Sequence, residues 1–257
     1  MCKLSMRPNE ERGILVTFCG LDGCGKTTMI QRLIHELADY DVFLTKQPTS
    51  FVRTSEIFRT YMDTPNHDAY DYRSLSLLAA SDRVQHSNRV ITPALKEGKI
   101  VLSDRYFYSC LANLRARGYT SDRWIYEIAE SIPRPDVAFF FDVPVETAVA
   151  RVRSRPEEKD RFIDMDLQYR LRREYREICR KNGGVLIPTE GSPDESYAKV
   201  RHAVLTALKT KGGSLKNEFS DRALRISPSE AQRRFREAKP SANLQGKEAF
   251  DKRKLRL

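Results

Sequence analysis

Five short apolar runs, separated by longer stretches with helical spacing, organise the chain as far as Leu208. The runs are Ile14–Cys19, Val42–Thr45, Ile100–Ser103, Val137–Asp142 and Val185–Thr189. They are rich in β-branched and aromatic residues and are apolar throughout, as expected of strands that are covered on both faces. Between them, apolar residues recur every three or four positions, which indicates amphipathic helices. Strands alternating with helices predict a three-layer α/β domain with a parallel sheet.

The pattern ends after Leu208, where a Lys- and Gly-rich linker leads into a polar stretch. We therefore predict an N-terminal extension over 1–12, a domain over 13–211 and a basic, disordered tail over 212–257. From Lys211 to Leu257 there are 13 Lys or Arg residues and 6 Asp or Glu residues, which account for most of the net charge of +10. Two interpretations of the tail stay open: an arm that binds nucleic acid, or a solvated extension without a partner.

The remaining composition narrows the class of protein. A hydrophobic content of 40% is enough for a packed core. No run approaches the roughly 20 apolar residues of a membrane span, and the first residues lack the apolar segment of a signal peptide. The five cysteines are odd in number and form no C-x-x-C pair, which favours a reducing compartment over a disulfide framework or a zinc site. These features predict a cytoplasmic protein without a membrane partner.

The end of the first apolar run carries the most specific motif of the chain. It reads Gly-x-x-x-x-Gly-Lys-Thr between a predicted strand and a predicted helix. Glycines let backbone N–H groups close around phosphate oxygens at the helix start. Lys26 would bring its charge to the β- and γ-phosphates, and the Thr27 hydroxyl would ligate Mg²⁺. The motif predicts a nucleotide-phosphate site formed by Gly20, Leu21, Asp22, Gly23, Cys24, Gly25, Lys26, Thr27 and Thr28.

Two further polar clusters are expected at the same edge of the sheet. Asp104 and Arg105 follow the third strand, and ligands of open α/β sheets bind at the carboxyl ends of strands. A carboxylate there can hold the waters around Mg²⁺, and an arginine can bind a phosphate; a surface ion pair is the alternative. Residues 151–161 begin with arginine at every second position and continue into a charged turn. They favour a mobile flap over the donor phosphates, a solvated face being the alternative.

The order of these motifs resembles that of the thymidylate kinase family over roughly residues 13–208. The motifs are 20–28, 46–48, 80–86, 91–99, 103–106, 134–136 and 160–162. The resemblance implies a P-loop nucleoside monophosphate kinase fold, with a five-stranded parallel sheet in the order 2-3-1-4-5 and a mobile lid at about 151–162. It also implies ATP as the phosphoryl donor, Mg²⁺, small-molecule nucleotides as ligands, and a homodimer.

The resemblance also implies roles for individual residues. Gly23 stands where some relatives have an arginine, which is typical of the subgroup whose catalytic arginines come from the lid. The residues expected in catalysis are Lys26, Asp104, Arg105, Arg153 and Arg155. Arg161 joins the P-loop residues in donor binding, and Thr27 and Asp104 hold Mg²⁺, through water. The residues expected around the acceptor are Asp22, Pro48, Arg59, Arg83, Arg105, Cys110 and Asn113, with Arg59 matched only after a one-residue shift.

Several positions depart from the family pattern near the acceptor. Ala79 replaces an aromatic residue that stacks on the base, and Asn113 replaces a tyrosine that lies under the sugar. Other departures are Cys110, Leu114, Gln47 and Ile163. We hypothesise a pocket that is wider and more tolerant of ribose. The alternative is that Tyr72, Tyr106 or Tyr108 supplies the missing stacking.

The expected function is ATP- and Mg²⁺-dependent phosphorylation of a pyrimidine nucleoside monophosphate, with dTMP as the expected acceptor. The same chemistry on dUMP, UMP, CMP or a modified pyrimidine nucleotide is one alternative. A non-catalytic nucleotide-binding regulator with a nucleic-acid-binding tail is the other.

Overall fold

Five parallel strands form the centre of the protein. The computed structural model describes residues 2–65 and 69–211. The strands are β1 (Ile14–Gly20), β2 (Val42–Lys46), β3 (Ile100–Asp104), β4 (Val137–Asp142) and β5 (Val185–Pro188). They pair in the order β2-β3-β1-β4-β5, all parallel. The predicted α/β class and strand order are confirmed. The predicted tail, 212–257, lies outside the described residues.

Ten α-helices connect and flank the strands within the described residues. They are α1 (Lys26–Glu36), α2 (Ser50–Arg53), α3 (Glu56–Asp63), α4 (Tyr72–His86), α5 (Thr92–Lys96), α6 (Phe107–Ala116), α7 (Trp124–Ala129), α8 (Val145–Arg153), α9 (Met165–Asn182) and α10 (Pro193–Lys211). A π-helical turn, 87–91, joins α4 to α5, and a 3₁₀ turn, 156–158, follows α8. The crossover connections place α1 and α10 on one face of the sheet and α4, α6 and α9 on the other.

Burial follows position in the sheet. Every residue of β1 and β3 is buried, as expected of central strands between two helical layers. The edge strands differ: β2 is mostly half-buried, and Leu186 in β5 is 37% exposed. These two runs are apolar, yet their side chains are only partly buried, because each edge strand has a neighbouring strand on one side only.

The N-terminal segment lies extended against the domain. Cys2, Leu4 and Met6 are buried and alternate with exposed residues. The Asn182 side chain, at the end of α9, accepts a hydrogen bond from the Leu4 amide at 2.8 Å and donates to the Cys2 carbonyl at 2.8 Å. The segment thus packs onto the helical layer that contains α9.

The strand register brings several functional side chains to one edge. Lys46 is paired with Asp104, and Asp104 is paired with Phe18, two residues before the end of β1. The carboxyl ends of β1, β2 and β3 therefore meet at the same edge of the sheet. The residue clusters singled out in the sequence follow these strand ends.

Candidate functional site

The turn between β1 and α1 is shaped by glycines. Gly20, Gly23 and Gly25 all have positive φ angles, of 140°, 79° and 91°. At Gly23 a Cβ would lie 2.1 Å from the carbonyl oxygen of Ala148 in α8, so no side chain fits there. Gly25 directly precedes α1. The loop therefore presents the open N-terminus of α1 to the cleft, which suits a phosphate.

Lys26 folds back into this loop. Its Nζ donates to the carbonyl oxygens of Leu21 at 2.5 Å and Gly20 at 3.2 Å, and lies 3.5 Å from Cys24 Sγ. Only 7% of Lys26 is exposed. The buried ammonium is held by neutral carbonyls inside the loop, so its direct hydrogen-bond partners could be exchanged for the oxygens of an anion bound there.

Asp104 lies beside two lysines. Its Oδ2 accepts an ion pair from Lys46 Nζ at 3.0 Å, whereas Oδ1 is buried without a hydrogen-bond partner among the described residues. Burial would raise the pKa of Asp104, but Lys46, Lys26 and Arg105 lower it below its usual value. A buried, ionised oxygen without a donor is suited to bind a metal ion or its water.

Arg105 is held on three sides. Its backbone has a φ of 70°, the one positive value at a non-glycine residue among those described. Its Nη1 donates to the Gly20 carbonyl at 3.0 Å and to the Tyr175 hydroxyl at 3.0 Å, and its Nη2 donates to Asp22 Oδ1 at 2.5 Å. Tyr175 in turn donates to Ser109 Oγ at 3.1 Å. Hydrogen bonds from both terminal nitrogens, Nη1 and Nη2, fix the guanidinium where β1, β3 and α9 meet.

Asp22 joins two arginines across the loop. Besides Arg105, it pairs through Oδ2 with Arg161 Nη2 at 3.1 Å. Burial would raise the pKa of Asp22, but Arg105, Lys26 and Arg161 together hold it well below its usual value. Asp22 therefore stays ionised and ties residue 161 of the predicted lid to the P-loop.

The arginines of residues 151–161 lie in different surroundings. Arg155 and Arg161 line the cleft and contact Glu158, at 2.9 Å and 3.6 Å. Arg151 also lines the cleft and donates to the Thr189 carbonyl at 2.9 Å. Arg153 is exposed and lies outside the cleft lining, so its catalytic role stays a prediction.

A second group of contacts fixes the chain after β2. Asp82 accepts hydrogen bonds from the Thr49 amide, at 2.8 Å, and from the Thr49 hydroxyl. This holds Pro48, which lines the cleft, against α4. Arg59 lines the cleft from α3 but is 60% exposed and paired at 2.6 Å with Asp63 on its own helix. Asp82 is thus a structural link within the 80–86 motif.

The opposite end of the cleft is formed by α4 and α6. Arg83 is 4% exposed; its Nη1 donates to the Ala79 carbonyl at 2.8 Å, and its Nε has no partner among the described residues. Cys110 and Asn113 line the facing side from α6. Burial raises the pKa of the Cys110 thiol, which keeps it neutral. This end therefore offers a donor, a small side chain at position 79 and an amide.

Aromatic residues close this end of the cleft. Arg117 stacks on Tyr72, 4.0 Å from the ring centroid, and donates to Asn113 Oδ1 at 3.0 Å. Of the three tyrosines considered for stacking, Tyr72 lines the cleft, whereas Tyr106 and Tyr108 are buried outside its lining. Of these three, Tyr72 is therefore the one at the cleft, and Arg117 already covers its ring.

Most of these groups line one cleft of about 1680 Å³. Every predicted site residue lines it except Arg153 and Cys24, whose side chain is buried within the loop. Within the described residues, no three His, Cys, Asp or Glu side chains form a ready-made metal cluster. None of the described helices has the length and apolar character to cross a membrane.

Several cleft residues were not assigned roles from the sequence. Lys46 could have been found from its position at the end of β2, where ligands of such sheets bind. Arg151 belongs to the arginine run singled out in the sequence, but its contact with the Thr189 carbonyl depends on how α8 packs. Tyr175 carries no comparable signal, because its role depends on the packing of α9.

Comparisons with known proteins agree with this architecture. The family model described as thymidylate kinase matches residues 18–200. A protein named probable thymidylate kinase from Pyrococcus horikoshii is 37% identical over 174 residues, covering 65% of this chain and 83% of that protein. A protein of the same name from Pyrococcus abyssi is 36% identical over 206 residues, covering 76% of this chain and 98% of that protein. A thymidylate kinase from Geobacillus is 33% identical over 208 residues, covering 77% and 99%. The chain belongs to the thymidylate kinase family.

Proposed function

We propose that the chain transfers the γ-phosphate of ATP to dTMP, giving dTDP and ADP. The observation that carries this proposal is the Arg105–Asp22–Arg161 junction, which joins a phosphate-binding loop to a second pocket within one cleft. Phosphoryl transfer needs two nucleotides aligned end to end and the charge between them neutralised. The junction lies where the two sets of phosphates would meet.

The donor phosphates would occupy the loop from Gly20 to Thr28. Lys26 would exchange its carbonyl partners for phosphate oxygens, which gains a charge-assisted interaction. Arg155 and Arg161 would add positive charge from residues 151–162, and Asp22 would hold Arg161 near the loop. We propose that this segment acts as the lid.

The residues near the loop also suit Mg²⁺. The unpartnered Oδ1 of Asp104 and the exposed hydroxyl of Thr27 are oxygen ligands of the kind Mg²⁺ binds, directly or through water. When bound, the ion would neutralise part of the phosphate charge. Lys46, which now pairs with Asp104, would remain as a further cation at this edge.

The acceptor would lie between Arg105 and Arg83. The guanidinium of Arg105 would bind the acceptor phosphate, and Asp22 and Pro48 would border it. Arg83 Nε can only donate a hydrogen bond, so it requires an acceptor on the base, such as the C4 carbonyl of thymine or uracil. The C4 amino group of cytosine would place donor against donor. This chemistry favours dTMP or dUMP over CMP.

Assembly and compartment are proposed on separate observations. Leu77 and Val90, 46% and 37% exposed, lie on α4 and the adjoining π-helical turn, and we propose that this surface pairs in a homodimer.

All five cysteines are free and buried, which supports a reducing compartment, and we propose the cytoplasm.

The proposed activity is tested by ADP release with Mg·ATP and a panel of dTMP, dUMP, UMP, dCMP, CMP, AMP and GMP. We expect turnover to be highest with dTMP. Lys26→Ala should reduce kcat by at least about 10²-fold, because it removes a cation that stabilises the transferring phosphoryl group. ATP binding without acceptor-dependent turnover would instead support a nucleotide-binding regulator.

A further inference from the structure

On α4, two residues that line the cleft each carry a buried polar group without a hydrogen-bond partner among the described residues. One is Arg83 Nε, described above; the other is the hydroxyl of Ser76, which is 1% exposed. Most buried hydroxyls are hydrogen-bonded, and an unsatisfied one costs folding free energy. A buried, unsatisfied hydroxyl on a residue that lines a ligand cleft is therefore a group that a bound ligand can complete.

Ser76 and Arg83 belong to the same pocket. They lie seven residues apart, two turns along one face of the helix. Arg83 folds back by donating to the carbonyl of Ala79, which shortens the separation between its guanidinium and Ser76. Cys110 links the two residues: its thiol donates to the Ser76 backbone carbonyl at 3.6 Å, and the charge of Arg83 is near enough to lower the pKa of the thiol against the effect of burial.

We propose that the Ser76 hydroxyl is a specificity-determining contact to the acceptor base, paired with Arg83. This rests on the proposed function. The ligand class is a pyrimidine with an imide edge, in which an N–H lies beside the C4 carbonyl. Arg83 donates to the carbonyl, and Ser76, which can donate or accept, takes the N–H. Cytosine lacks that N–H and presents an amino group to Arg83.

Within the protein, the rival partner for Ser76 is the Tyr72 hydroxyl. The Ser76 hydroxyl lies near enough to the Tyr72 phenol to act as a hydrogen-bond donor that lowers its pKa, although burial raises that pKa overall. The two groups do not reach full hydrogen-bond geometry, so the Ser76 hydroxyl is left without a well-formed partner among the described residues. If Ser76 served only Tyr72, removing either hydroxyl would have the same effect on the acceptor.

The test is Ser76→Ala, with Thr17→Val as its matched control. Thr17 also carries a buried hydroxyl that no described residue pairs with, but it lies in β1, outside the cleft lining. Removing either unsatisfied hydroxyl should leave the melting temperature unchanged or higher. Only Ser76→Ala should raise the KM for dTMP, by about tenfold, with the KM for ATP unchanged, because it alone removes a base contact.

Modified acceptors sharpen the experiment. With N3-methyl-dTMP, which lacks the imide N–H, wild type and Ser76→Ala should have KM values within about twofold of each other. Tyr72→Phe should not reproduce the acceptor effect of Ser76→Ala.

Other results would overturn the inference. These are an unchanged KM for dTMP in Ser76→Ala, an equal rise in the KM for ATP, an equal effect in Thr17→Val or Tyr72→Phe, or the same tenfold loss with the methylated acceptor. Wild-type turnover distinguishes the two proposals: no turnover with any pyrimidine nucleotide would overturn both, whereas normal turnover with an unaffected Ser76→Ala would overturn this one alone.

Discussion

At the scale of single residues, the Asp22 carboxylate offsets the repulsion between positively charged side chains that lie close together at the P-loop. Arg105 and Arg161 both donate to it, and Lys26 lies in the same loop. Without a nucleotide these cations repel each other, and Asp22 is the carboxylate that bridges two of them. It therefore stabilises the site in the nucleotide-free state, at positions that phosphates would occupy in the complex.

The pKa of Asp22 makes this stabilisation depend on pH. Because it lies below the ordinary carboxyl value, the stabilisation is present above about pH 4 and is lost as the pH falls toward the folded-state pKa. Asp22→Asn should lower the free energy of unfolding by about 1 kcal/mol at neutral pH. The difference from wild type should shrink on acidification, as measured by urea unfolding across this range.

Asp194→Asn provides the control for this prediction. Asp194 also pairs with an arginine, Arg32, but its side chain is 81% exposed. An exposed pair contributes little, so this variant should match wild type at every pH. A stability loss in Asp22→Asn that stayed constant below about pH 4 would show that its charge is not the cause.

Asn113 gives a residue-scale prediction on the acceptor sugar. Its amide nitrogen donates to the Ser109 carbonyl at 2.9 Å, and its oxygen accepts from Arg117. Asn113→Tyr should fill the pocket beside Tyr72 and leave less room for a 2′-hydroxyl. The preference for dUMP over UMP should then rise by about tenfold, which is typical of a pocket that excludes one small group. The ratio of kcat/KM for the two acceptors measures it. An unchanged ratio would refute the ribose-tolerance hypothesis.

At the scale of elements, α8 lies directly against the P-loop. A Cβ at Gly23 would overlap the Ala148 carbonyl, so the two backbones are in contact. This contact explains why a glycine stands here, and α8 leads directly into the segment that we propose as the lid. The contact between α8 and the P-loop therefore requires glycine at position 23 and also sets where the proposed lid begins.

Gly23→Ala should therefore displace α8 and impair catalysis. We expect a loss of at least about tenfold in kcat/KM for ATP, because the loop and the lid lose their alignment. Gly118→Ala is the matched control: Gly118 has a φ of 93°, yet a Cβ there would meet no atom of the described residues within 4 Å. It should cost about 1–2 kcal/mol in backbone strain, without a change in kcat/KM. Equal kinetics in both variants would contradict the packing argument.

The elements also show how far sequence patterns reach. The five strands and the P-loop were predictable, because period and glycine spacing are local properties. The contacts of Arg151 and Tyr175 were not, since each depends on a helix packing onto a distant loop. Ser76 looks like an ordinary helical serine in the sequence; only burial distinguishes it. Local order was predictable from the residue pattern and the strand order from the family resemblance, whereas contacts between helices and distant loops were not.

At the scale of the whole molecule, the two ends of the parallel strands contribute differently to the protein. The carboxyl edge holds the cleft, whereas the amino edge is closed by Asp136. That carboxylate accepts from the Leu15 amide at 2.8 Å, from Asn9, and from Lys211 at 2.9 Å. Asp136, part of the 134–136 motif, thus ties the N-terminal segment to the end of α10. Residue 211 is anchored at the edge opposite the cleft.

This anchoring predicts the effect of removing the basic segment 212–257. The protein ending at Lys211 should keep kcat and both KM values within about twofold, because Lys211 is held across the sheet from the cleft. If the segment is a nucleic-acid arm, truncation should abolish a salt-sensitive retention on single-stranded DNA; if it is a solvated extension, the full chain should show none. A parallel variant with Asp136→Asn should instead lower stability, since it breaks the contact that fixes residue 211. A large kinetic loss on truncation would mean that residues beyond 211 reach the cleft, which would make the segment part of the catalytic unit.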